Sequence, residues 1–545
     1  MKKLAGWIIV LASSFLIIRS LFISGYFPMH DDTQVARVVE MGRALRAGQF
    51  PVRWVSDLGY GYGYPIFNFY GPLPYYVGGV LYALGLTGLT ATKIMMGAGL
   101  VLAGVTMYAA IAEIAGISAG ILASVFYMFA PYHAVQAYVR GAVGEYYALI
   151  FLPLILWGFW RICNRKTPFT GILLAGAGTA GLIVSHTILG YAGVFLEGIA
   201  VVVLLFGRLK KPWIAVLLGL GLSAFFWLPA IWEMKYTNVA GQINSGSNFR
   251  DHFVCLGQLW NSPWGFGGSA KGCLDGLSFK IGKEHLLIAL AALVGVLVGF
   301  IRQRRAKILI TVGIVIFVVS VFFMLNISQP LWDIVPLMAY VQYPWRFLAF
   351  AIFGISLVVS QIVSAFRPAI IRWSVVILCV GLVLFVEAKR FTPQYTYSRP
   401  AADFETVEDI QFRVSEISDE YLPAAVPRPK MPQDVVRDTI PRSDLYAMEI
   451  QQMTDTYVKV AFHTREDIQV KINTAYFPGW HYIVNVTDTK PVVQNGLPII
   501  PIPSGDSVLQ MQFRDTPVRQ IANIISLLSL GVCFYLYDKR EKTIS

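Results

Sequence analysis

His30, Asp31 and Asp32 stand directly after the first long apolar run of the chain. Two adjacent carboxylates and an imidazole are costly to place at a membrane boundary, so they mark a candidate site. The chemistry open to them is proton abstraction from an acceptor hydroxyl, or binding of a divalent cation. A structural role competes with it: Asp32 or Thr33 could cap the amphipathic helix expected over Thr33 to Ala47. One aspartate is assigned to the cap and one to chemistry, with Asp31 against Asp32 left open. His30 either orients the carboxylate or sits at the interface.

Other motifs carry complementary groups. Arg140 precedes Glu145, which opens an apolar run. Glu145 is either a second acidic ligand or acid–base partner opposite Asp31, or a carboxylate placed to suit a helix dipole. Arg140 can hold a phosphate by paired hydrogen bonds. His186 stands between two closely spaced apolar runs, where a lone histidine is more often a packing residue. Arg346 lies in Tyr343-Pro344-Trp345-Arg346-Phe347 and suits a lipid phosphate, or ordinary anionic headgroups. Arg53 and Tyr70 belong to an aromatic stretch built around Gly59-Tyr60-Gly61-Tyr62-Gly63-Tyr64-Pro65. No strand precedes these glycines and no helix follows, so a dinucleotide loop is excluded. The rings either stack on a sugar face or anchor in lipid.

The elements that must position these residues are membrane helices. The 545 residues are 56% hydrophobic and only 14% charged, with a mean hydropathy of +0.59, too apolar for a soluble protein of this size. The net charge of +12 does not indicate nucleic acid, because the basic residues cluster in short loops between apolar runs. These clusters are Lys2-Lys3, Arg161 to Lys166, Arg208 to Lys211, Arg302 to Lys307, Arg367 to Arg372 and Lys539 to Lys542. If all are cytoplasmic, an even number of spans separates each neighbouring pair. Parity fails only before Arg161, where the short Tyr- and Gly-rich run from Leu73 to Leu86 is read as an external helix that does not cross. The expectation is about twelve spans with both termini cytoplasmic. Loops 26–89 and 233–284 then lie outside, and every conspicuous polar motif falls on one side of the membrane.

Residues 389–517 differ in character, giving a division into a polytopic domain 1–388, an external β-rich domain 389–517, and a last span with a basic tail, 518–545. Alternation at Val458, Val460 and Phe462, at Ile468, Val470 and Ile472, and at Tyr482, Val484 and Val486 predicts half-buried strands. Asn495-Gly496 is a hairpin signal. A small antiparallel sandwich is expected, with a Pro-rich irregular stretch over 395–445 draping the membrane domain. Of five cysteines, Cys255 and Cys273 share one expected external loop, where a disulfide and two unpaired thiols are both open.

The order of motifs resembles that of GT-C glycosyltransferases. More closely it resembles a bacterial multi-span family labelled 6-pyruvoyl-tetrahydropterin-synthase-related, akin to YfhO-like proteins. The residues that carry the resemblance begin with His30-Asp31, Gly48-Gln49-Phe50-Pro51-Val52-Arg53-Trp54, Gly61-Tyr62-Gly63-Tyr64-Pro65 and Phe69-Tyr70-Gly71-Pro72. They continue with Arg140-Gly141 and Glu145, Ser185-His186, Tyr343 to Phe347, Glu420-Tyr421-Leu422-Pro423, Tyr476-Phe477-Pro478-Gly479-Trp480 and Asp515 to Arg519. The resemblance implies an inverting transfer of sugar from a polyprenyl-phosphate carrier to a cell-envelope polymer, lipid or protein on the outer face of a bacterial-type cytoplasmic membrane. Asp31 would be base or metal-held carboxylate, with Asp32 its alternate. Glu145 would be the acidic partner, sharing a Mg or Mn ion with Asp31 if one is used. Arg140 and Arg346 would hold the phosphate, and His30, Arg53, Tyr70 and His186 would complete the substrate contacts. A transporter of lipid-linked glycans would need charged residues at mid-membrane, and Glu197 is isolated there. A non-catalytic envelope scaffold, binding through its β domain, is the third reading.

Overall fold

The computed structural model describes residues 2–164, 168–206, 211–239, 241 and 248–544, with side chains left out at 2–3, 204–206 and 539–544. The basic residues Arg165-Lys166 and Arg208 to Lys210, which enter the topology argument, lie outside the described residues, as does part of loop 233–284.

Among the described residues, eight helices are long and apolar enough to cross a membrane, or ten when each of two bent pairs counts as one span. The bends are 44° between Ile117–Met128 and Pro131–Arg140, and 67° between Pro212–Leu222 and Ala224–Tyr236. Pro131 supplies no backbone N–H, which breaks the helical ladder there. The remaining two of the twelve expected runs are helices as well: Thr187–Phe206 and Lys283–Leu297, whose 15 residues are short of a span. The helix Leu73–Ala83 has only 11 residues, too short to cross a membrane.

Small residues let the helices approach closely. Gly158 and Gly171 bring helices Phe151–Cys163 and Pro168–Ser185 into backbone contact, and Gly313 and Gly354 do the same for Arg304–Met324 and Leu348–Ser360.

The extramembrane segment holds two antiparallel sheets ahead of the last helix, Pro517–Ile544. Strands β1 (Tyr446–Thr454), β2 (Tyr457–Thr464), β8 (Gly505–Phe513), β4 (Trp480–Val484) and β5 (Thr487–Asp488) form one, in that order. Strands β3 (Ile468–Lys471), β7 (Leu497–Ile502) and β6 (Val492–Gln494) form the other. The alternating apolar residues of β2, β3 and β4 point inward and are buried. Val486 departs from the pattern: it follows Asn485, which turns the chain at φ 57°, and it is exposed. Asn495 and Gly496 both hold positive φ, 51° and 72°, and make the β6–β7 turn.

Residues 389–445 run as a strap of short helices and loops across the membrane domain. Tyr397 pairs with Tyr26 through two backbone hydrogen bonds of 2.9 Å. The Gly-Tyr stretch meets this strap and the β domain. Tyr60 O accepts from Val436 N at 3.0 Å and Tyr62 O from Ala475 N at 2.7 Å, while Tyr60, Tyr62 and Tyr64 are buried. A Cβ on Gly61, at φ 81°, would collide with the Val436 carbonyl. These three rings are packed inside the protein, where they form the seat for the extramembrane segment.

Candidate active site

The first loop is held in place by the chain end of a bent segment. His30 N donates to Val139 O at 3.1 Å and Asp31 N to Arg140 O at 2.8 Å. Gly141 turns the chain at φ 69°, and Gln34 Nε2 donates both to its carbonyl, at 2.8 Å, and to Asp31 O, at 2.9 Å. The backbone of Asp31 is thereby fixed while its carboxylate makes no hydrogen bond or ion pair among the described residues.

Glu145 is 1% exposed and lies in the first turn of helix Val143–Ala148. Its Oε1 accepts from Arg140 Nη2 at 2.9 Å and from Arg346 Nε at 3.0 Å. Its Oε2 accepts from Tyr132 OH at 3.0 Å and Gln136 Nε2 at 3.3 Å. Arg140 also stacks on Trp345, 4.5 Å from the ring centre. Arg346 Nη1 reaches Val341 O at 2.6 Å and Gln342 Oε1 at 3.2 Å, leaving Nη2 without a partner among the described residues. Leu337 and Gln342, at φ 63° and 65°, sit on the same loop. Such strained backbone collects at functional sites.

Ser185 and His186 are wedged in place by close approach, since a Cβ on Gly71 or Gly144 would strike the Ser185 carbonyl. His186 Nδ1 accepts from Leu189 N at 3.1 Å, which puts the ring proton on Nε2, 3.9 Å from Glu145 Oε1. Burial pushes the His186 imidazole down to about 3, so it is neutral at ordinary pH.

These groups line one cavity of about 580 Å³. Asp31, Tyr70, Arg140, Glu145, His186 and Arg346 all face it, together with Arg37, Ser418, Glu420 and Tyr421. An apolar part of the same wall, the apolar limb, is made by Ile188, Tyr191 and Val194 on one helix and Trp227, Ile231 and Met234 on another.

Three expected site residues stand elsewhere. His30 Nε2 contacts Phe266 O at 2.9 Å in the loop beyond the cavity. Asp32 pairs with Arg413 of the strap at 2.9 Å. It does not cap helix Gln34–Arg46, which begins after Thr33 without any side-chain cap, because Arg413 has taken the carboxylate. Arg53 donates to Asn68 Oδ1 at 2.9 Å and Asn523 Oδ1 at 3.0 Å and pairs with Asp515 at 3.3 Å, tying the first loop to the last helix. Conversely, Arg37, Ser418, Glu420 and Tyr421 line the cavity without having been singled out as site residues. The one sequence signal for the last two is that Glu420-Tyr421 stands among the segments that carry the family resemblance.

Among the described residues no group of three or more His, Cys, Asp or Glu side chains could hold a metal. Asp31 could still provide one oxygen ligand beside a substrate phosphate, the mode in which Mg keeps most of its waters. Glu145 could add a second only by breaking its arginine pairs.

The disulfide Cys255–Cys273, with Cα atoms 5.5 Å apart, closes the loop that approaches this face.

No family model matches the chain. It is 25% identical over 214 residues to an uncharacterized protein of Lactococcus lactis subsp. cremoris, a match that covers 37% of this chain and 35% of that one. Among solved structures, the fold is similar to arabinofuranosyltransferase AftD from Mycobacteria, with a TM-score of 0.46 and 14% identity over 73% of this chain and 28% of that one. It is also similar to the oligosaccharyltransferase of Archaeoglobus fulgidus, with a TM-score of 0.46 and 11% identity over 79% of this chain and 61% of that one. The chain thus spans about a third of the length of the Lactococcus protein and less than a third of AftD.

Proposed function

We propose that this chain is a membrane glycosyltransferase of the GT-C kind, moving a sugar from a polyprenyl-phosphate donor to a cell-envelope acceptor with inversion. The observation that carries the reading is the meeting of three things in one cavity: an apolar limb, two arginines clamped by Glu145, and the unpaired carboxylate of Asp31. The limb suits a prenyl chain, and the arginines suit the phosphate at its end. Asp31 takes the proton of the acceptor hydroxyl as that oxygen attacks the anomeric carbon. The bond from that carbon to the phosphate oxygen breaks, and the charge left on the polyprenyl phosphate is held by Arg140 and Arg346. Glu145 acts through these arginines as a positioning residue, and the neutral His186 offers its Nε2 proton. If Asp31 instead held a Mg or Mn ion, the ion would supply Lewis-acid stabilisation of the leaving group.

The cavity is placed on the extracytoplasmic face, with both termini cytoplasmic. The distribution of basic residues supports this, as does the Cys255–Cys273 disulfide, which suits an oxidising compartment. The acceptor is a polymer, lipid or protein of that envelope. The test is Asp31→Asn expressed in cells, with glycans on envelope polymers as the readout. Loss of one glycan with normal protein levels supports the assignment, and unchanged glycosylation sinks it.

A further inference from the structure

The roof of the cavity comes from the strap, and one of its side chains has no role in the reaction as derived. Glu420 lines the cavity, and its carboxylate oxygens accept from Ser418 Oγ, at 3.1 and 3.0 Å, and from its own backbone N–H. Ser418 Oγ in turn accepts from Arg37 Nη2 at 2.8 Å. Glu420 therefore makes no ion pair among the described residues, although it is the second carboxylate in the cavity without one.

Its backbone is fixed on both sides. The Glu420 carbonyl accepts from Asn238 N at 3.1 Å, and Tyr421 N donates to Tyr64 OH at 3.2 Å. The Tyr421 ring stacks on Phe69 at 5.2 Å with an interplanar angle of 9°. Asn238 follows the helix that bears Trp227, Ile231 and Met234, so the Glu420 backbone is tied next to the apolar limb. Arg140 and Arg346 pair with Glu145, while Arg37 reaches Glu420 only through Ser418.

We propose that Glu420 is the specificity-determining residue for the glycosyl unit of the donor, accepting hydrogen bonds from ring hydroxyls and excluding acidic sugars. The inference rests on the glycosyltransferase reading. A prenyl chain in the limb, with its phosphate on the arginines, brings the attached sugar under the strap. A fixed carboxylate beside the sugar favours an uncharged or amino sugar and repels a uronic acid. Loss of a hydrogen bond to a charged group lowers affinity by about ten- to a hundredfold.

The test uses the full-length chain in lipid nanodiscs and tryptophan fluorescence to measure binding of three probes: undecaprenyl phosphate, undecaprenyl-phosphoglucose and undecaprenyl-phosphoglucuronate. The parent protein is expected to bind the glucose probe at least about tenfold more tightly than the glucuronate probe. Glu420→Gln should collapse that ratio while leaving the affinity for undecaprenyl phosphate within about twofold. Glu420→Asp, which keeps the charge, should retain part of the ratio. Equal binding of the two sugar probes by the parent, or an unchanged ratio in Glu420→Gln, overturns the inference and leaves the phosphate assignment standing. Failure of the parent to bind undecaprenyl phosphate overturns the glycosyltransferase reading and the inference with it.

Discussion

Arg346 donates through Nε to Oε1 of Glu145 at 3.0 Å, joining residues that are 201 positions apart in sequence. The pair is buried, with side chains 9% and 1% exposed, and Arg140 completes it from the other side at 2.9 Å. One carboxylate thus sets the direction of two guanidiniums that arise from different helices.

Replacing Glu145 leaves two buried cations facing each other. Glu145→Ala is expected to lose about 3–5 kcal/mol of stability, the cost typical of an uncompensated buried charge. Thermal unfolding of the purified protein measures it. A melting point equal to that of the parent would show that the clamp holds nothing together.

Asp31 and Asp32 are neighbours with opposite surroundings, and their variants should separate. Asp31→Asn should fold like the parent and lose about 100- to 10,000-fold in transfer rate, the usual loss for a missing general base. Asp32→Asn removes one partner of a partly exposed pair with Arg413 and should cost at most about 1 kcal/mol, with activity largely retained. Equal loss of activity in both variants would contradict the division of roles.

The disulfide gives a test of both stability and sidedness. Cys255→Ser with Cys273→Ser is expected to cost about 3 kcal/mol, as for a loop of this size in the chain-entropy model. In intact cells, a membrane-impermeant maleimide should label these two positions only after reduction. Labelling confined to inverted vesicles would reverse the proposed orientation.

Glu40 provides a pH signature away from the cavity. It is 2% exposed beside Asp57, with Arg43 Nη1 at 3.0 Å. Burial first, and Asp57 second, push its carboxyl well above the usual range. A raised folded-state pKa means that the protonated form favours the fold. The contribution is complete below the unfolded value of about 4.3 and is lost as pH rises through the folded value. The melting temperature of the parent should therefore fall with rising pH more steeply than that of Glu40→Gln. Parallel curves would show that Glu40 is not the group responsible.

Much of this was legible in the chain, for reasons that are local. Apolar runs and period-two alternation are read from neighbouring residues, as is the Asn495-Gly496 turn. The polar residues at helix ends are also visible locally, and Asp31, Arg140, Glu145, His186 and Arg346 do meet in one cavity. Hydropathy alone does not show the bend near Pro131 or the break at Ser223. What stayed hidden depends on contacts across the chain. Asp32 looks like a helix cap until Arg413, 381 residues later, claims it. The Gly-Tyr stretch looks like a ligand or lipid loop until the strap packs on its rings. Glu420 has no spacing pattern of its own, and only the fold of the strap carries it into the cavity.

The position of that strap has a consequence for biogenesis. Ile417 to Tyr421 leave the ribosome after helix Ala369–Glu387 and before helix Pro517–Ile544. During translation the arginine clamp and Asp31 are inserted first, under an open ceiling. In the proposed orientation, the nascent polypeptide therefore stays incompetent for the proposed transfer until the late segment crosses the bilayer and settles onto Tyr26 and the glycine-rich seat.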